Sequence, residues 1–291
     1  NIVKCSERIA KVSTESKIIV EKSTLPVRTA EKIKQVLKSN STELTFEVLS
    51  NPEFLAEGTA IQDLYKSDRV LIGSDNTKRG REALNSLISL YEKWIPKNKI
   101  LKTSVWSAEL SKLASNAMLA QRISSINSLS ALCEKSGASI EEVSKAIGMD
   151  KRIGSHFLNV SPGFGGSCFQ KDILNLVYLC RNYGLHEVAN YWEWVVRIND
   201  YQKSRFSNRV MEYFGNKIIN KRITILGWSF KKNTNDSRES ASIYICRDLL
   251  IKGATIHIYD PMVPPQRVIS DIVNLLESEN FEENSLKELI S

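Results

Sequence analysis

Between Val105 and Lys135 the chain runs without a proline or a glycine. Leu110, Leu113, Ala117, Ala120, Ile123 and Leu132 recur along it at helical spacing and give it one apolar face. At 1.5 Å per residue, the helix this predicts is about 45 Å long. One small domain does not need such a rod. A helix of this length bridges two domains or offers a surface to a second copy of the chain. With 291 residues there is room for two domains or for one elaborate one.

Upstream of the rod, Ile2, Cys5, Ile9 and Val12 predict a helix over 2–12. The run Lys17–Val20 reads as a buried strand that opens into the polar loop of Glu21–Thr24. A helix over 27–37 is expected just after Pro26. Further strands are expected at 44–49, 69–73 and 100–103. Between the last two lies a helix over 77–94, with Leu84, Leu87, Ile88 and Tyr91 inward. Alternation of this kind argues for a parallel α/β sheet. The region is short for a complete doubly wound domain, and no strand in it is followed by G-x-G-x-x-G. It reads as the second half of such a domain, with the first half missing before Asn1.

Downstream, helices are expected over 140–147, 168–183 and 186–214. At Lys221 the composition changes. A strand over 222–227 ends in Gly227, a helix over 240–252 stops at Gly253, and a second strand over 254–260 ends in Asp260. This is the start of a second βαβ unit. After Pro261 the signal weakens. The acidic stretch 277–288 is expected as a helix or partly ordered tail, and this last domain also reads as incomplete.

Composition removes several classes. No run of about 18 uncharged apolar residues exists, so no transmembrane helix is expected. Asn1–Arg8 has no apolar h-region and does not read as a signal peptide. Five irregularly spaced cysteines do not make a disulfide framework. They point to a reducing compartment, hence a cytoplasmic protein, with one reactive thiol among them. The net charge of +7 fits a solubility charge or an anionic small ligand. The basic residues are scattered, which argues against a nucleic-acid surface. His156, His186 and His257 are far apart, and no metal-ligand spacing is visible.

Four segments could carry chemistry. In Gly163-Phe-Gly-Gly-Ser-Cys-Phe-Gln-Lys-Asp172, three glycines precede a cysteine at the start of a helical pattern. Glycines let a backbone pass close to a ligand. A cysteine at a helix N-terminus faces the positive end of the dipole, which favours the thiolate. Asp172 follows one turn later on the same face, with Lys171 beside it. Read from the residues alone, this is either a nucleophile site or a glycine turn before a structural cysteine. Cys133 and Cys180 sit in apolar helical patterns and are expected in the core.

The second segment is Glu109–Asn116 on the long helix. Lys112 and Asn116 share a face among small residues, and could stabilise an oxyanion or stand on a solvated surface. The third is Asn51–Gly58. In parallel sheets ligands sit beyond the carboxyl ends of the strands, where Thr24 and Glu53 are both expected. Glu53 could act as a general base with Thr24 holding a water, or the loop could be merely solvated. The fourth is Gly227–Ser240, a bulky basic loop where a glycine-rich turn would suit a dinucleotide. It fits a nucleotide phosphate held by Lys231 and Arg238. Asp260, at the end of the second strand, stands where such folds often hold a ribose hydroxyl.

Taken together, five segments resemble the UDP-glucose 6-dehydrogenases of the UDP-glucose/GDP-mannose dehydrogenase family, in their animal-like form. They are Val20–Val27, Ser50–Ala60, Glu109–Ala117, Gln121–Asn127 and Gly163–Asp172, in the family's order and spacing. The resemblance extends to about Val263. It implies a two-step oxidation of the C6 alcohol of UDP-glucose to a carboxylate, with two NAD⁺ reduced and no release of the aldehyde. Cys168 would attack the aldehyde to form a thiohemiacetal, then a thioester that water hydrolyses. Lys112 and Asn116 would steady the oxyanion, and Asp172 would help the proton transfers. Glu53 would be the general base, with Thr24 placing the water.

The resemblance also assigns binding residues. For the substrate these are Glu53, Phe54, Leu55, Lys112, Asn116, Arg152, Phe157, Gly165, Phe169, Phe230 and Lys231. For NAD they are Thr24, Glu57, Cys168, Lys171 and Arg238. Arg152 is expected to reach into a neighbouring subunit of a homo-oligomer, a dimer or a hexamer with the dimer as building block. The implied architecture has three parts: the C-terminal half of a Rossmann-like NAD-binding domain over 1–104, a central helical dimerisation domain carrying the cysteine over 105–215, and a Rossmann-like UDP-binding domain over 216–291. Family members begin with the G-x-G-x-x-G unit, so this chain alone is expected to bind NAD⁺ poorly. Another nucleotide-sugar 6-dehydrogenase, or a non-catalytic nucleotide-sugar binding module, are the alternatives.

Overall fold

The computed structural model describes residues 1–40 and 43–279. It divides into two compact units, Asn1–Ser115 and the remainder from Asn116.

The first unit is a four-stranded sheet in the order β1 (Lys17–Glu21), β2 (Phe46–Ser50), β3 (Val70–Ser74), β4 (Ile100–Ser104). The helices are α1 (Ile2–Val12), α2 (Thr29–Asn40), the short α3 (Ala60–Tyr65) and α4 (Lys78–Tyr91), and α5 (Val105–Ser136) begins in this unit. Every residue of β3 is buried, as a strand covered on both faces must be. Neighbouring residues of β2 serve opposite faces. Val48 packs with Ala10, Ala30, Ile33 and Leu37 of α1 and α2. Leu49 packs with Leu84, Ile88 and Tyr91 of α4. This is the period-2 alternation of a strand. Gly73 is required where α5 begins, because a Cβ there would lie 2.7 Å from the Ala108 Cβ.

The expected elements upstream of α5 form with their ends within three residues of expectation. Thr77 caps α4, accepting from the Gly80 N–H at 2.9 Å. Two readings are corrected. The sheet is not wholly parallel: β1 and β2 run parallel, as do β3 and β4, but β2 meets β3 antiparallel at Ser50 and Gly73. β1 is also only partly buried, because it is an edge strand with Ile18 exposed.

The second unit contains the rest of α5, then α6 (Ile140–Gly148), α7 (Phe169–Asn182), α8 (His186–Tyr213), β5 (Arg222–Leu226), α9 (Ala241–Ile251), β6 (Thr255–Tyr259) and α10 (Pro265–Ser278). Its first core joins Ala117 and Ala120 of α5 to Ile173 and Val177 of α7 and Ala189 and Val196 of α8. A second surrounds the fully buried Trp228 with residues of α9 and α10. Ile218, Ile245 and Leu249 link α9 to the end of α8. β5 and β6 are parallel, as the βαβ pattern requires.

At 32 residues, α5 is about 48 Å long. Its apolar face is narrower than expected. Leu113, Ala117 and Ala120 are buried, but Leu110 and Leu132 are exposed. The helix α10 was not anticipated. Pro265 stands at its first turn, where a proline favours a helix because its missing N–H is not needed. Most of the expected tail over 277–288 lies outside the described residues. Among the described residues, no helix is long and apolar enough to cross a membrane.

Candidate active site

Cys168 is the residue before the first turn of α7 and is exposed, whereas Cys133, Cys180 and Cys246 are buried in the core. Burial pushes the Cys246 thiol up to about 12 and raises that of Cys180. Of the five free thiols, only Cys168 and Cys5 meet solvent. One turn along α7 lies Asp172, 2% exposed. Its carboxylate accepts a 2.6 Å hydrogen bond from the Asn116 amide, and Lys171 lies 3.9 Å away. A buried carboxylate held by an amide on a neighbouring helix is a fixed acceptor one helical turn along from the cysteine.

The backbone ahead of Cys168 is tightly clamped. Asn199 of α8, fully buried, accepts from the Phe164 N–H at 2.7 Å and donates to the Phe164 carbonyl at 3.0 Å. Gly163 adopts φ +137°, and a Cβ there would lie 2.8 Å from the Asn199 Oδ1. Phe169 meets Phe164 edge to face at 5.8 Å.

The loop after β5 packs onto this turn. A Cβ at Gly165 would strike the Glu239 backbone and lie 2.9 Å from the Phe230 Cβ. One at Gly166, which has φ +83°, would lie 2.9 Å from the Phe230 ring. The Gly166 N–H donates to the Arg238 carbonyl at 2.8 Å. Two segments marked separately in the sequence are therefore one structure. Lys231 lies over the Phe230 ring, and the Arg238 guanidinium forks onto Asp236.

Asp260 does not present its carboxylate to a ligand, which corrects the ribose reading. It accepts from the N–H groups of Trp228, Ser229, Met262 and Val263. Burial pushes its pKa up, but the four N–H bonds outweigh that and hold it at about 2. It anchors the loop that carries Phe230.

In the first unit, Thr24 and Glu53 follow β1 and β2 at the carboxyl ends of that parallel pair, and Glu53 is exposed. Phe54 lies against Arg69, 3.9 Å from its ring centre, and against Lys112 at 5.3 Å. Leu55 is half-buried and Glu57 exposed. Lys112 and Asn116, one turn apart on α5, are both buried, so neither stands on a solvated face. Arg152 is exposed and forked onto Asp150. Phe157 adopts φ +61° and is exposed. The three histidines are exposed.

Sequence reasoning missed Asn199 and the anchoring role of Asp260. Asn199 is a polar residue within an apolar helical pattern, and only its partner in three dimensions explains it.

Three models of one family, the UDP-glucose/GDP-mannose dehydrogenase family, match the chain. The NAD binding domain matches residues 1–95, the central domain 106–201 and the UDP binding domain 224–288. The chain is 58% identical over 269 residues to a UDP-glucose 6-dehydrogenase of Mus musculus, covering 92% of this chain and 55% of that protein. It is 58% identical over 264 residues to UDP-glucose 6-dehydrogenase 3 of Oryza sativa subsp. japonica, covering 91% and 55%. The chain thus spans about half the length of these relatives. Its fold matches the structure of a UDP-glucose dehydrogenase from Pyrobaculum islandicum with a TM-score of 0.84 at 32% identity, over 94% of this chain and 61% of that one.

Proposed function

The chain belongs to the UDP-glucose/GDP-mannose dehydrogenase family, and on that footing we propose that the full-length protein oxidises the C6 alcohol of UDP-glucose to the carboxylate of UDP-glucuronate. The observation that carries the reading is Cys168: an exposed thiol on a glycine turn, with Asp172 buried one turn behind it and the Phe230 loop packed against it. The three matched segments support a three-part division close to 1–104, 105–215 and 216–291.

Alcohol to carboxylate is a four-electron change, so two hydrides leave each sugar. When bound, NAD⁺ supplies the hydride acceptor. Thr24 and Glu57 fit it, since a hydroxyl and a carboxylate follow β1 and β2 where parallel strands present ligands. Lys171 and Arg238 are assigned to it by family resemblance.

Glu53 takes the proton of the C6 hydroxyl, and Lys112 and Asn116 hold the oxygen as its charge develops. Loss of the first hydride leaves an aldehyde at C6, and the Cys168 sulfur, having given up its proton, then attacks the aldehyde carbon. A C–S bond forms, the carbonyl oxygen takes the charge, and the same two residues hold it. The captured aldehyde cannot leak. Loss of the second hydride leaves a thioester, which is activated for hydrolysis. Glu53, which is exposed, passes its first proton to solvent, and water placed by Thr24 and Asp172 then attacks the thioester as Glu53 deprotonates it. The C–S bond breaks and the sulfur recovers its proton. Phe54, Leu55, Phe157, Gly165 and Phe169 line the sugar and uridine, and Phe230 and Lys231 hold the nucleotide. The acting form is a homo-oligomer to which Arg152 contributes across subunits; its exposure and the exposed Leu132 and Trp194 support this.

The test is the ratio of NADH formed to sugar consumed by the full-length protein, over UDP-glucose, UDP-N-acetylhexosamines and GDP-mannose. Two NADH per UDP-glucose, with the others slow, is expected. Faster turnover of another nucleotide sugar would move the substrate assignment, and binding of UDP-glucose with no NADH would remove the enzyme reading.

A further inference from the structure

Two carboxyl groups outside the site just described face one another in the core of the first unit. Glu21 ends β1 and is 6% exposed; Glu109, on α5, is 3% exposed. Their roles differ. One Glu109 oxygen accepts from the Arg28 N–H at 2.7 Å and the other from the Ala30 N–H at 2.9 Å. These are donors at the start of α2, so Glu109 caps a helix to which it does not belong. Arg28 is held there at φ +76°, a conformation that non-glycine residues rarely adopt.

Glu21 has no such support. The Ser50 hydroxyl lies beside it, but among the described residues no donor reaches either of its buried oxygens at hydrogen-bonding geometry. A buried carboxylate without donors is strongly disfavoured, and a second carboxylate beside it makes matters worse. A proton on Glu21, donated to Glu109, resolves both problems. Glu109 is then a carboxylate with three donors, and Glu21 a neutral acid. Surrounding charges do not replace that proton. Lys34, on α2, is the cation facing the pair, and its amino group pairs with Asp75. Lys22 turns away to Asn51 and Tyr91, and the Arg28 guanidinium lies over Trp106.

Between Glu21 and the Arg28 N–H that Glu109 holds lies Lys22–Val27, which contains Thr24. We propose that Glu21 and Glu109 are a positioning pair: one proton shared between them pins both ends of the Thr24 loop to the long helix, and its loss releases that loop. The part played in catalysis rests on the function proposed above, because Thr24 there places the hydrolytic water. The latch itself rests only on the geometry. Burial and the neighbouring Glu109 push Glu21 up to about 8, so release falls just above neutral pH.

The experiment is hydrogen exchange of the segment 22–36 in the native full-length protein without ligands, from pH 6 to pH 10, after correction for intrinsic rates. Wild type should lose at least tenfold in protection with a midpoint near pH 8. Glu21→Gln, which keeps a neutral donor, should hold its protection throughout. A carboxylic-acid band in the infrared spectrum at pH 7 should vanish at pH 10 and be missing from Glu21→Gln. A wild type with flat protection and no such band overturns the proposal, and so does a Glu21→Gln variant that opens with the wild-type midpoint. The rate of the oxidation, measured in parallel, should fall in wild type with that midpoint, and the fall should be absent in Glu21→Gln. If the exchange transition appears while no nucleotide sugar is oxidised at any pH, the latch stands and the functional reading fails.

Discussion

Gly165→Ala tests whether the loop carrying Phe230 must sit on the glycine turn to hold the nucleotide. A methyl group there would meet the Glu239 carbonyl, lie 2.8 Å from the Glu239 carbonyl carbon, and lie 2.9 Å from the Phe230 Cβ. An ordinary contact is about 3.5 Å and the Glu239 carbonyl oxygen is the nearest obstacle, so the loop must retreat by roughly 1 Å. It cannot do so freely. The obstruction is backbone, Glu239 already sits at φ +55°, and the adjoining Arg238 carbonyl is tied to Gly166. Overpacking of this kind costs about 1–3 kcal/mol. If the loop meets that cost by undocking, UDP-glucose should bind roughly 5- to 150-fold more weakly, at about 1.4 kcal/mol per tenfold. Titration calorimetry with UDP-glucose measures this. Because the clash is local, the thermal midpoint should move by only a few degrees. Binding within twofold of wild type would refute the idea that the docked loop is the nucleotide-holding state.

Asn199→Ala should cost about 2–4 kcal/mol in urea unfolding, since the buried N–H and carbonyl of Phe164 both lose their partner; the same variant should label faster at Cys168 with iodoacetamide. Asp260→Asn should destabilise the protein at pH 7 and weaken nucleotide binding, because four N–H groups lose a charged acceptor. The folded value of about 2 lies below the ordinary 3.8, so the carboxylate's contribution is whole above pH 4 and lost as pH falls through 2. The gap in thermal midpoint between wild type and variant should therefore close on acidification, and a gap independent of pH would contradict the anchoring role.

Much of this was legible in the sequence. The long helix follows from an uninterrupted pattern, and the strands of the first unit from short apolar runs. What the pattern cannot carry is relative direction: nothing in Phe46–Ser50 or Val70–Ser74 states that these two strands meet antiparallel. Periodicity also overstates burial, because Leu110 and Leu132 lie on the helical stripe but are exposed. The glycine turn and the loop after β5 were visible as two features. Their union depends on missing Cβ atoms at Gly165 and Gly166, a matter of close approach and not of local propensity. Glu21, Glu109, Asn199 and Asp260 are unremarkable as letters. Each takes its meaning from a partner at least 32 residues away.

The central claim is that Cys168 carries the sugar as a covalent adduct. The direct measurement is the intact mass of the full-length protein quenched during turnover with UDP-glucose and NAD⁺, followed by peptide mapping, in wild type, Asp172→Asn and Cys168→Ser. A sugar-nucleotide adduct on the Cys168 peptide, enriched when hydrolysis is slowed in Asp172→Asn and missing from Cys168→Ser, is the expected result. Formation of UDP-glucuronate by Cys168→Ser at the wild-type rate, with no adduct in any form, would contradict it.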